Sequence, residues 1–142
     1  MTRDLDFVIA LPGQGVPGLV RVFSADFYID EDAVRAAVSS QRMFNLMHLS
    51  SAIKVDLFIR KDTRYRQLEF ERRKAVELAG VHTWITSRED LILSKLVWSR
   101  DTGSELQMRD VRALLKDAVD WPYLRHWAPV LDVVAMLDEA AK

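Results

Sequence analysis

The chain has 142 residues, 49% of them hydrophobic and 29% charged, and a formal net charge of −1. That length supports one domain with a sizeable core, and the near-neutral balance excludes a strong global field toward nucleic acid or acidic membrane. Cysteine is absent, which excludes disulfides and thiolate zinc sites. His48, His82 and His126 are too far apart for metal-ligand spacing, and no apolar run reaches the ~20 residues of a membrane span. Met1-Thr2-Arg3-Asp4 carries no apolar signal region, so a cytoplasmic protein without membrane contact is the simplest expectation.

Leu5 to Leu11 is a short apolar run stopped by Pro12 and Gly13, the pattern of a buried strand. A glycine loop over 13–18 follows, then a short helix from Leu19 to Phe23 and a second strand over Asp26 to Ile29. Asp30 is placed to cap a helix whose first turn holds Glu31 and Asp32, where the helix dipole favours acids. Met43 to Leu49 and Ile53 to Ile59 read as strands of one antiparallel hairpin, turning at Ser50 and Ser51.

Residues 62–73 have helical character. Lys74 to Leu78 and His82 to Thr86 read as a further hairpin, with Val76, Leu78, Val81 and Ile85 as its buried positions. Ser87 caps a helix broken by Gly103, and residues 104–119 form another, with Leu106, Val111, Leu114, Leu115 and Val119 near a 3.6 period. Pro122 opens a shorter helix and Pro129 the last one. A small mixed or antiparallel sheet followed by helices is an α+β order, read as a single domain over 1–142 with a sheet-rich part, 1–86, and a helical part, 87–142.

Asp4 and Asp6 are two apart on a strand, so both point to one face. In Ile53-Lys54-Val55-Asp56-Leu57-Phe58-Ile59, the residues Ile53, Val55, Leu57 and Ile59 share one face and Asp56 takes the other. An acid in mid-strand is costly to bury without a partner. If these strands are neighbours, the three carboxylates converge on a volume suited to Mg²⁺, which binds one or two carboxylates plus substrate phosphates. The same spacing also fits solvated acids at a strand end, beside a water-facing Asp56.

Thr2-Arg3-Asp4-Leu5-Asp6-Phe7-Val8-Ile9 resembles the Asp-x-Asp strand of the nucleotidyltransferase superfamily related to DNA polymerase beta. Lys54-Val55-Asp56-Leu57-Phe58 resembles its later strand with a third carboxylate. Glu89 to Leu96 is similar to the helix after the sheet in minimal bacterial members, and Arg109-Asp110-Val111 to the Arg-Asp pair of abortive-infection-type toxin members. The resemblance implies a nucleotidyltransferase-like fold in which Asp4, Asp6 and Asp56 are catalytic and hold Mg²⁺, and in which Lys95 and Arg109 face the phosphates of a nucleoside triphosphate. It implies nucleotidyl transfer to a hydroxyl acceptor, on RNA or protein, in a toxin–antitoxin or defence setting. The family also carries a Gly-Gly or Gly-Ser helix before the Asp-x-Asp strand, whereas three residues precede Asp4 here. The expectation is therefore either an internal start at Met1 or loss of that element, which would expose apolar sheet surface and favour a homodimer. A catalytically inactive interaction module, acting as a homodimer or through a protein partner, is the alternative.

Two other patterns carry less. Gly13-Gln14-Gly15-Val16-Pro17-Gly18 fits the dinucleotide spacing after a strand, but Pro17 and the short helix that follows argue for a glycine-rich turn. Arg60, Lys61, Arg64, Arg66, Arg72, Arg73 and Lys74 make a basic stretch, with Tyr65 and Phe70 interleaved, that could contact RNA or DNA. Asp62, Glu69 and Glu71 dilute it, and such a run is more often a solvated helix face.

Overall fold

The computed structural model describes residues 4–51 and 53–142, with the side chain of Asp4 outside the description. The chain forms two compact units, Met1–Phe70 and Glu71–Lys142. The fold is α+β. The first unit carries strands β1 (Asp4–Ile9), β2 (Phe27–Tyr28), β3 (Met43–His48) and β4 (Lys54–Ile59), and helices α1 (Val16–Phe23), α2 (Glu31–Ser40) and α3 (Arg64–Glu71), the last ending just past the boundary.

The sheet runs β1-β4-β3-β2. As the serine turn suggests, β3 and β4 pair antiparallel, with Phe44 opposite Leu57 and Asn45 opposite Asp56. β1 is the outermost strand and lies parallel to β4, with Asp6 opposite Asp56 and Phe7 opposite Leu57. Register fixes two faces, because side chains alternate. Phe44, Leu46, Leu57 and Ile59 point to one face, where they pack with Val16 of α1 and with Val34 and Ala37 of α2. Burying a Val or Leu there stabilises by roughly 1.5–3 kcal/mol each. The opposite face carries the charged residues.

Local chemistry accounts for most element ends. The Asp30 carboxylate accepts from the backbone N–H groups of Asp32 and Ala33 at 2.9 and 3.1 Å, satisfying donors the helix leaves unpaired. The glycine segment is more helical than expected. Gly13–Gly15 forms one 3-10 turn, and α1 already begins at Val16. Pro17 sits in the first turn of α1, where its missing N–H has no helical partner to lose. The chain then enters β2, at the far end of the sheet from β1, which is not a dinucleotide βαβ path.

The second unit contains a two-stranded ribbon, β5 (Lys74–Leu78) and β6 (Val81–Ile85), then helices α4 (Arg88–Thr102), α5 (Glu105–Leu114), α6 (Trp121–Val130) and α7 (Val134–Ala140). Its core includes Ile92, Leu93 and Leu96 of α4, Met108 and Val111 of α5, Leu124 of α6 and Leu137 of α7. Three expectations are corrected here. Leu78, Val81 and Ile85 are exposed and Val76 is only half-buried, because a ribbon of two strands has no further strand of its own to close a face. α5 stops at Leu114 and exposes Leu106; its inward stripe is Gln107, Met108 and Val111. Pro129 closes α6 instead of opening the last helix, and a left-handed Asp132 redirects the chain into α7. Among the described residues, no helix is long and apolar enough to cross a membrane.

Candidate metal and nucleotide site

The charged face of the four-stranded sheet is ordered in rows. Asp4 of β1 is in register with Lys54, which is opposite Met47. The next row is Asp6, Asp56 and Asn45, and the third is Val8, Phe58 and Met43. Neighbouring strands lie about 4.8 Å apart, so the backbone brings Asp6 and Asp56 side by side on one face. The third expected acid, Asp4, occupies the strand position two residues before Asp6 on β1, but its side chain lies outside the described residues.

Asp56 is 8% exposed. One of its oxygens, Oδ2, accepts from Lys54 Nζ at 2.8 Å. The other, Oδ1, is buried with no hydrogen-bond partner among the described residues. A buried carboxylate oxygen without a donor is strongly disfavoured, and a cation beside it removes that penalty. The orphaned oxygen and the neighbouring Asp6 fit Mg²⁺, which keeps several waters and needs only one or two protein carboxylates. Among the described residues, no group of three or more His, Asp or Glu is gathered as a metal cluster, so the fit rests on this pair. Lys54 joins the site without a motif that marks it, although its i,i+2 spacing from Asp56 on a strand places both on one face.

Lys95 and Arg109 belong to the second unit. Lys95 Nζ donates to Gln107 Oε1 at 2.9 Å and to Asp110 Oδ2 at 2.8 Å, tying α4 to α5. Its hydrogen bond, with the Coulomb attraction of Lys95 and Arg109, holds the Asp110 carboxyl below its ordinary range against the opposing effect of desolvation. The Arg109 guanidinium is well exposed, 3.9 Å from Asp110. Lys95 would therefore have to exchange Asp110 for a phosphate in order to bind one, whereas Arg109 is accessible as it stands.

A densely bonded carboxylate is one that the sequence marks only as a first-turn acid. Asp90 is fully buried. Its Oδ2 accepts from Ser87 Oγ at 2.5 Å and Arg72 Nε at 3.1 Å, and its Oδ1 from the Tyr123 hydroxyl at 2.6 Å. The Arg72 guanidinium also lies 3.9 Å from the Tyr123 ring centroid, within cation–π range. Desolvation acts to lower the Arg72 pKa, but the Asp90 hydrogen bond and the surrounding Tyr123, Asp90 and Glu89 carry it upward. The basic stretch is likewise committed in part: Arg66 pairs with Glu69 at 2.6 Å and Arg60 with Asp62 at 3.4 Å, and Arg73 lies over Trp84. Comparison with known proteins yields no match, either to a family model or to a curated protein.

Proposed function

We propose that this protein is a nucleotidyltransferase-like enzyme, transferring a nucleotidyl group from a nucleoside triphosphate to a hydroxyl acceptor on RNA or protein. The observation that carries this reading is the in-register pair Asp6 and Asp56 on parallel neighbouring strands, with Asp56 Oδ1 buried and lacking a donor among the described residues. Asp6 and Asp56, with Asp4 on the same strand face, would hold Mg²⁺; the ion supplies charge neutralisation for the phosphates when bound. Asp56 takes the proton of the acceptor hydroxyl as that oxygen bonds to the α-phosphorus. The bond from the α-phosphorus to the bridging oxygen breaks, and pyrophosphate leaves. Lys54, which holds Asp56 Oδ2 at 2.8 Å, is the cation on this face that would turn to the phosphates.

Calorimetric titration with Mg²⁺ and ATP, using the native chain, Asp6→Asn and Asp56→Asn, tests the reading. Magnesium-dependent binding by the native chain that both variants lose supports it; no binding by any of the three overturns it. A second reading, a non-catalytic module that self-associates or binds a protein, is favoured by β1. Leu5 and Phe7 are 52% and 44% exposed on its core-side face. Light scattering that shows a stable dimer without nucleotide binding would establish that alternative.

A further inference from the structure

The row beyond the carboxylates has a chemistry of its own. Val8, Phe58 and Met43 are aligned across three strands and are 49%, 38% and 39% exposed. They lie one i,i+2 step, roughly 6.6 Å, from Asp6, Asp56 and Asn45. On the other side of the acids lies Lys54. The face thus runs from a cation, through paired carboxylates, to a flat apolar strip, within three side-chain rows. A nucleoside polyphosphate has the same sequence of chemistries along its length: anionic phosphates, a sugar, and a flat ring with apolar faces.

We infer that Phe58, flanked by Val8 and Met43, is the platform on which the base of a nucleoside triphosphate stacks, the phosphates lying toward Lys54. The inference rests on the nucleotidyltransferase reading and adds how the substrate is recognised. Val8, Phe58 and Met43 present no hydrogen-bond donor or acceptor of ordinary strength to a base edge. Recognition by stacking is therefore tolerant of base identity and graded by ring size, purine above pyrimidine. Binding also changes partners at Asp56: the cation sits at Oδ1, and Lys54, now on Oδ2, turns to a phosphate.

The test is calorimetric titration, at saturating Mg²⁺, with ATP, UTP and inorganic tripolyphosphate. The native chain is expected to bind ATP about tenfold more tightly than tripolyphosphate, with UTP between them. Phe58→Ala should erase that difference and leave tripolyphosphate binding unchanged. Phe58→Leu, which keeps an apolar side chain of similar bulk, should behave like Phe58→Ala, and Phe58→Trp should restore the preference. Equal affinity of the native chain for ATP and tripolyphosphate overturns the platform while leaving the metal–polyphosphate reading intact. Failure to bind any of the three overturns both. A self-association abolished by Phe58→Ala would assign the row to a second copy of the chain and overturn the proposal.

Discussion

Replacing Asp90 by alanine removes the acceptor shared by Ser87, Arg72 and Tyr123 in the second unit. Taking away one member of a buried ion pair costs about 3–5 kcal/mol, because the remaining charge is left uncompensated. Arg72 is 34% exposed and keeps Glu89 at 4.0 Å, so it can turn to water and the loss should fall near about 3 kcal/mol. Folded domains hold roughly 0.05–0.15 kcal/mol per residue, so this is a large fraction of what residues 71–142 possess. Tyr123→Phe is milder: it deletes one hydrogen bond to a charged group, about 1.5–3 kcal/mol, and leaves the ion pair. Trp84, Trp98, Trp121 and Trp127 all lie in the second unit, so tryptophan emission during urea unfolding reports on that unit alone. With a slope of about 1–2 kcal/mol/M, Tyr123→Phe should lower the midpoint by about 1 M and Asp90→Ala by about 2 M. A midpoint change below about 0.5 M for Asp90→Ala, at unchanged slope, would refute the claim that this network stabilises the second unit.

Asp30→Ala should destabilise the first unit by about 1 kcal/mol through loss of the α2 cap, seen as a lowered melting temperature by circular dichroism, with Asp30→Asn largely retaining stability. The Asp110 pKa is depressed in the fold, so its pairing with Lys95 contributes fully above the ordinary aspartate value and is lost as pH falls through the lowered one. The urea midpoints of the native chain and Asp110→Asn, followed from about pH 6 to about pH 2, should converge at the acid end; a constant gap would contradict the assignment.

What could be read from the residues is what short-range physics decides. The caps at Asp30 and Ser87, the break at Gly103 and the β3–β4 hairpin each depend on neighbours a few positions away, and each stands in the structure. The same-face placement of Lys54, Asp56 and Phe58 follows from strand alternation, yet it says nothing until the register beside β1 is known. The role of Asp90 was hidden because Arg72 and Tyr123 lie 18 and 33 residues away; locally it is one more acid near a helix start. Pro129 misled because proline is permitted at the first turn and is also a common stop, and only the following left-handed Asp132 decides between them. Exposure in the β5–β6 ribbon is not legible locally, because an apolar residue reports its own preference and not whether a second layer exists to receive it.

The outermost position of β1 gives its acids a second duty. A strand with one unpaired edge and exposed Leu5, Phe7 and Val8 is a template for indefinite edge-to-edge growth, and charges at alternate positions are what discourage it. Asp6 is then a gatekeeper against precipitation as well as a candidate ligand, and a variant lacking its charge will show diminished solubility whatever its chemistry. Any loss of binding in Asp6→Asn therefore acquires meaning only in material shown to remain dispersed.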